Sequence, residues 1–294
     1  MTDDRIDILS ADALSEQRAL ADELYAFAGR WGIELGWHYI LDLMWILTEL
    51  GPLHEGMTVL DAGAGFGVMQ WWLAEHGVDV VSVDKVSRAE LSVRFYNRYA
   101  IRGLRSEDLL PRTTLAMQRL GAGDIPGASR AFASLLVSQL TPKAAGSVTI
   151  YNQDLSQLDA ITDGTIDAIV AVSALEHNTM EAFPGVYDEL MRVLKPGGVL
   201  LATVGASGGE DWYHEASSGW CYSEATLRRL YHLSPEAPSN YDQHDVLFEK
   251  IKGSDELRVK LAPFYHRMSN SGMPGGVWDP QYQPVGVRKV KATR

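Results

Sequence analysis

The stretch Val59-Leu60-Asp61-Ala62-Gly63-Ala64-Gly65-Phe66-Gly67 constrains the fold more tightly than any other part of the chain. A short apolar run ends in an acid, three glycines follow at alternate positions, and Val68 to His76 then has the pattern of a helix. This succession predicts a strand, a tight turn and a helix. Glycine permits the sharp turn and lets a ligand approach the backbone with no Cβ in the way. Such a turn is expected to aim free amide N–H groups at its ligand, which should be nucleotide-like.

The glycine spacing narrows the choice. Dinucleotide folds use Gly-x-Gly-x-x-Gly and hold a pyrophosphate at the helix N-terminus. Here the pattern is Gly63-x-Gly65-x-Gly67, Val68 takes the third-glycine place, and Asp61 suits a cationic ligand better than a pyrophosphate. Val80-Val81-Ser82-Val83-Asp84 follows, a second apolar run whose acid stands about 20 residues after the loop, where a carboxylate can accept hydrogen bonds from both ribose hydroxyls.

At these residues the sequence resembles the class I S-adenosylmethionine-dependent methyltransferases, whose first motif is a strand ending in Asp or Glu and then Gly-x-Gly-x-Gly. Leu175-Glu176-His177, just beyond the apolar run 166–172, resembles a motif of many small-molecule methyltransferases, and Leu194-Lys195-Pro196-Gly197-Gly198 resembles another hallmark, a turn remote from the cofactor. The resemblance covers residues 57–204, interrupted by an insertion. It implies an α/β fold: a Rossmann-like class I methyltransferase sheet with helices on both faces, N-terminal helices and a helical insertion. It also implies S-adenosylmethionine as cofactor, S-adenosylhomocysteine as product, and a cofactor site built from Asp61, Ala62, Gly63, Ala64, Gly65, Asp84, Lys85, Asp154, Leu155 and Ser173. In that family an acid after the third strand accepts from the adenine amino group, and Asp154 fits, with Leu155 beside the ring. The structural alternative for Asp154 is a turn acid capping residues 155–158.

At 294 residues and 46% hydrophobic, the chain can form one large domain with additions. A formal charge of -12 argues against a nucleic-acid partner, whose phosphates call for clustered Lys and Arg. The single cysteine, Cys221, leaves no internal disulfide, so a cytoplasmic location is expected. The acidic opening residues do not read as a signal peptide. The most apolar helical stretch, 37–47, carries Asp42 and is far short of the ~20 residues of a membrane span, so no membrane partner is expected.

Residues 1–56 read as an N-terminal helical cap, with helices over 10–29 and 35–50, and residues 57–294 as the methyltransferase domain. In the resembled family such helices lie over the cofactor and shape the acceptor pocket, which makes His38 and Tyr39 substrate-binding candidates; packing on the sheet is the plainer use. A helix over 88–100 carries arginines on a solvated face. The insertion at about 101–146 holds two helices, 109–120 and 128–140, serving substrate selection, a homodimer contact or structure alone. Strands are expected at 147–151, 166–172, 199–204 and 284–290, and helices at 182–194, at 224–233 with Ser223 as N-cap, and at 245–267 with a weak point at Gly253. In the aromatic-rich C-terminal extension, Trp212 and Tyr213 are substrate-binding candidates, and 273–282 reads as a lid or as core packing.

A sulfonium methyl group needs a nucleophile held in line and desolvated, about 3 Å away. A hydroxyl acceptor also benefits from a general base, for which histidine is suited. His177 and His214 are the catalytic candidates. Glu176-His177 has no carboxylate cluster beside it in sequence, so no metal is expected. The chain therefore reads as a methyltransferase acting on an oxygen or nitrogen of a small-molecule or sugar-like acceptor. The alternatives are a non-catalytic S-adenosylmethionine-binding sensor or assembly subunit, and an NAD-dependent oxidoreductase, which the glycine spacing disfavours.

Overall fold

A computed structural model of the chain describes residues 3–141, 143–260, 273 and 277–293. Its elements begin with strand β1 (Arg5–Ile8), helices α1 (Ala13–Glu16), α2 (Arg18–Trp31) and α3 (Tyr39–Leu50), strand β2 (Thr58–Ala62), helix α4 (Met69–Glu75) and strand β3 (Asp79–Asp84). Helix α5 (Val93–Arg98), strand β4 (Ala100–Gly103), helices α6 (Arg112–Gly121) and α7 (Ile125–Leu140), and strands β5 (Ser147–Asn152) and β6 (Ile166–Val172) follow. Helix α8 (Phe183–Val193) leads into strand β7 (Leu194–Ala206) and the hairpin β8 (Trp212–His214) and β9 (Gly219–Tyr222). Helices α9 (Glu224–Leu230), α10 (His244–Lys252) and α11 (Asp255–Lys260) precede strand β10 (Gln283–Val290).

The strands form one sheet in the order β1-β10-β7-β6-β2-β3-β5-β4, with the hairpin joined to the end of β7. From β7 to β4 all pairings are parallel, while β10 runs antiparallel to β7 and β1. The apolar runs behave as strands buried on both faces. Period-two alternation sends Val59, Val80, Val148 and Ala168 into a core shared with α2, α3 and α4, and Leu60, Val83, Ile169 and Ala171 into a second core shared with α8 and α9. This is the Rossmann-like α/β sheet covered by helices on both faces. Because β3 and β6 lie on opposite sides of β2, the winding reverses there, and beyond the carboxyl ends of such a switch point open α/β sheets bind ligands.

Several local readings change. The N-terminal segment supplies a strand as well as helices: Arg5-Ile6-Asp7-Ile8 alternates polar and buried apolar residues and pairs with β10 from Arg5–Arg288 to Ile8–Val285. Four residues are too short for that alternation to stand out in sequence. Residues 100–103 are an edge strand on β5 rather than the start of a helical insertion. The helix expected over 88–100 is confined to Val93–Arg98, and Arg88 is buried beneath the sheet tips instead of lying on a solvated face. Lys195-Pro196-Gly197-Gly198 lies within β7 as a bulge, where the register jumps from Ile166–Leu194 to Ala168–Val199 and Gly197 has φ 79°. The helix expected over 245–267 is interrupted after Lys252, its residues 261–267 lie outside the described residues, and so do residues 274–276 of the 273–282 segment. Among the described residues no helix is long and apolar enough to cross a membrane.

Candidate active site

The carboxyl ends of β2, β3, β5 and β6 open on a cleft of about 810 Å³. Asp61, Gly63, Ala64, Gly65, Asp84, Lys85, Asp154, Leu155, Ser173 and His177 all line it, joined by Tyr39 from α3 and Tyr213 from β8.

The glycine loop is held from below by a buried polar network. Gln70, the second residue of α4, donates from Nε2 to the carbonyls of Ala64, Gly65 and Gly67 at 3.3–3.4 Å and accepts from Ser82 Oγ at 2.7 Å. Arg88 donates to Ser82 Oγ, to the Ser82 carbonyl at 2.9 Å and to the Tyr151 carbonyl at 3.2 Å. Its charge lies close enough to Asp61, Asp84 and Asp108 to interact with all of them.

The expected free amides are not the loop's offering. The Gly63 and Ala64 N–H groups both donate to the Val83 carbonyl, at 2.9 and 3.0 Å, and the Gly67 N–H to the Ala64 carbonyl. The Gly65 N–H donates to Asp84 Oδ2 at 2.8 Å, while Val86 N–H donates to Asp84 Oδ1 at 2.7 Å. Tight closure against β3 is the physical reason: the Val83 carbonyl and the Asp84 carboxylate take up three of these four donors, and the loop's own Ala64 carbonyl the fourth. Gly63 has φ 72°, and a Cβ there would stand 2.4 Å from the Ala174 Cβ; Gly65 has φ 47° beside Asp84.

Carboxylates are what face the cleft. Asp61 is 2% exposed, and its Oδ2 has no hydrogen-bond partner among the described residues. Burial pushes its carboxyl up to about 7, with Arg88 pulling downward and Asp84 upward. Asp154 uses Oδ1 as a turn acid, accepting from Ser156 N–H at 2.9 Å and Ser156 Oγ at 2.7 Å, bonds that hold its pKa below the usual carboxylate value.

At the tip of β6, Ser173 adopts φ 46°, an uncommon conformation for a residue with a side chain. Its Oγ donates to Glu176 Oε1 at 2.6 Å. His177 follows on the exposed turn at the cleft wall, with Nδ1 2.9 Å from the Ser218 carbonyl. A carbonyl only accepts, so Nδ1 carries the proton and Nε2 of the neutral ring is an acceptor.

A smaller cavity of about 160 Å³ adjoins the cleft and shares Tyr39, Ser173 and His177 with it. His38 lines this inner space rather than the cleft. Its Nδ1 donates to Asp42 Oδ2 at 2.6 Å and its Nε2 meets the Tyr282 hydroxyl at 3.1 Å, forming a buried chain. Burial, with Glu176 and Asp42 nearby, pushes the Tyr39 hydroxyl up to about 12, so it remains a donor at neutral pH.

Three of the residues singled out in the sequence line neither space. Ala62 is fully buried in β2. His214 lies between the Trp212 and Tyr282 rings with Nδ1 2.7 Å from Ser217 Oγ, and burial lowers its pKa. Strand alternation separates it and Trp212 from Tyr213, whose side chain alone of the three reaches the cleft. Among residues that sequence reasoning did not single out, Arg94, Asn178 and Ser218 line the cleft, and Glu176 and Tyr282 the inner cavity. Glu176 had a signal in Leu-Glu-His; Tyr282 had one only as the end of the aromatic segment 273–282. Among the described residues no group of three or more His, Cys, Asp or Glu could hold a metal ion.

Several solved structures resemble the chain. The 1,6-didemethyltoxoflavin N1-methyltransferase of Burkholderia thailandensis, with bound 1,6-didemethyltoxoflavin and S-adenosylhomocysteine, is 16% identical at a TM-score of 0.44, covering 95% of this chain and 90% of its own. Phosphoethanolamine N-methyltransferase 2 of Haemonchus contortus, in complex with S-adenosyl-L-methionine, is 17% identical at 0.45, and the match covers 96% of this chain and 60% of that one. The geranyl diphosphate C-methyltransferase of Streptomyces coelicolor A3(2) is 14% identical at 0.45, with 85% and 75% covered. No curated protein matches the chain. The sequence pattern of the methyltransferase domain family matches residues 38–234, more than half of the chain. The chain therefore belongs to the methyltransferase domain family.

Proposed function

We propose that this protein uses S-adenosylmethionine to methylate an oxygen or nitrogen of a small-molecule acceptor. The observation that carries this reading is the inversion at the glycine loop, where the amides of Gly63, Ala64, Gly65 and Gly67 are engaged and the carboxylates of buried Asp61, half-buried Asp84 and exposed Asp154 line the cleft instead. A pyrophosphate wants free amides; a ligand with an ammonium group, ribose hydroxyls and a sulfonium wants acids. The unpartnered Asp61 Oδ2 fits the ammonium of the methionine portion, since a buried carboxyl oxygen without a partner costs free energy that a cation can offset. Asp84, anchored by two backbone amides, is oriented to accept from ribose hydroxyls, and Asp154 and Leu155 border the space left for the adenine.

When bound, S-adenosylmethionine supplies an electrophilic methyl group that needs little activation. The chain's contribution is then positioning, exclusion of water and proton removal. Tyr39, Ser173 and His177 stand where the cleft meets the inner cavity, so the acceptor belongs at that junction. His177 Nε2 is the base, its tautomer set by the Ser218 carbonyl.

Incubation with methyl-labelled S-adenosylmethionine and a panel of metabolite alcohols, phenols and amines tests the reading. Label should pass to at least one acceptor, and much more slowly with His177→Ala. A protein that binds S-adenosylhomocysteine yet labels nothing in the panel would favour the sensor reading over the enzyme.

A further inference from the structure

The inner cavity has a chemistry of its own. Trp37, Tyr39, Trp220 and Tyr282 contribute four aromatic rings to its lining, and Trp37 and Tyr282 meet edge to face at 5.2 Å. Glu176 also lines it, only 4% exposed. One carboxyl oxygen, Oε1, accepts from Ser173, while Oε2 has no hydrogen-bond partner among the described residues. Behind His38 lies Asp42, fully buried, whose Oδ1 is likewise without a partner. No lysine or arginine lines the cavity among the described residues.

Aromatic faces and an unpaired buried carboxyl favour the same kind of guest. Ring quadrupoles attract cations, most strongly where water is excluded. A carboxylate buried without a partner is costly, and the cost falls when a positive group arrives beside it. Burial holds the Glu176 carboxyl above its ordinary pKa, against the opposing pull of His177 and of the Ser173 hydrogen bond. A neutral hydroxyl guest would satisfy one hydrogen bond but leave the rings and the net charge unused. Size bears on the guest as well: the space is about 160 Å³ against about 810 Å³ for the cleft, which suits a compact group. Close walls reinforce the limit, since a Cβ at Gly219 would sit 3.1 Å from Glu176 Cγ and one at Gly36 2.9 Å from the Tyr39 ring.

Resting on the methyl-transfer reading, we propose that this cavity is the acceptor subsite and that it takes a compact amine as its ammonium ion, held by the Glu176 carboxylate and the rings of Trp37, Tyr39, Trp220 and Tyr282. The nitrogen must lose a proton before it can attack. His177, on the wall common to both spaces, takes that proton on Nε2; the N–C bond then forms as the C–S bond breaks, and its electron pair stays on sulfur.

Choline and its uncharged carbon isostere 3,3-dimethylbutan-1-ol serve as probes, titrated calorimetrically into the full chain saturated with S-adenosylhomocysteine. Choline should bind at least about tenfold more tightly than the isostere. Glu176→Gln should remove most of that preference while leaving S-adenosylhomocysteine affinity unchanged, which also shows that the variant is folded, and Trp220→Leu should weaken choline binding independently. Equal binding of the two probes, no binding of choline, or an undiminished preference in both variants would overturn the proposal. Failure of S-adenosylhomocysteine to bind would instead overturn the methyl-transfer reading, and with it the acceptor role, while choline titrated into the unloaded protein still reads whether the cavity takes a cation.

Discussion

Replacing Asp61 with asparagine should stabilise the protein above neutral pH and at the same time weaken its hold on S-adenosylmethionine. Asp61 is the penultimate residue of β2 in an almost fully buried position, and burial raises its carboxyl from the ordinary 3.8 to about 7. An acid whose folded pKa lies above its unfolded value keeps its proton in the folded state through a window in which the unfolded chain has lost it. Stability is therefore undiminished below the unfolded value and falls as pH rises toward the folded one. Roughly three units at ~1.4 kcal/mol each amount to about 4 kcal/mol by pH 8, more than half of it lost above pH 5. Asparagine has the same shape and no charge to bury. The difference in unfolding free energy between Asp61→Asn and the native chain, from urea melts, should grow in favour of the variant by roughly 2–3 kcal/mol between pH 5 and pH 8. A cation bound beside Asp61 offsets the same cost, so the native protein should release part of a proton on binding S-adenosylmethionine at neutral pH, and the variant none. A stability difference that stays constant with pH, together with unaltered proton release, would refute the idea of a buried acid matched to a cationic ligand.

Gly65→Val should abolish S-adenosylmethionine binding, because a β-branched residue is strained at φ 47° and its side chain would enter the space beside Asp84; calorimetry on the folded variant checks this. Asp84→Ala should weaken binding by about tenfold or more, losing the ribose acceptor and leaving the Gly65 and Val86 amides without theirs. His177→Ala should lower turnover by roughly a hundredfold or more with little change in cofactor affinity, and an unchanged rate would mean that the base lies elsewhere.

The parts of the fold legible in the sequence were those with a strong local signal. Val59 to Gly67 and Ile166 to Val172 announce buried parallel strands because near-continuous apolar runs next to a glycine turn have few other uses. β1, β4 and β8 are three or four residues long, and their pairing depends on partners far away in the chain. Arg88 shows the limit of composition: as one arginine among several it reads as solvated, yet it lies beneath the sheet tips, where the carboxylates of Asp84, Asp61 and Asp108 offset part of the cost of burying its charge. The carboxylates of the cleft were visible because each closes an apolar run or turn. His38, Asp42 and Tyr282 form a chain that joins α3 to the residue before β10, and no spacing rule connects positions so distant. Likewise, the separation of Tyr213 from Trp212 and His214 follows from the pleat of a three-residue strand that the aromatic composition of 205–222 does not disclose.

A cleft lined by the Asp61, Asp84 and Asp154 carboxylates, with the loop amides already engaged, should recognise a sulfonium nucleotide. Parallel calorimetric titration of the purified chain with S-adenosylmethionine, S-adenosylhomocysteine and NADH measures this most directly. Both sulfur nucleotides should bind saturably at a single site, and NADH should give no heat. Binding of NADH without either sulfur nucleotide would contradict it and return the glycine loop to a dinucleotide-binding role.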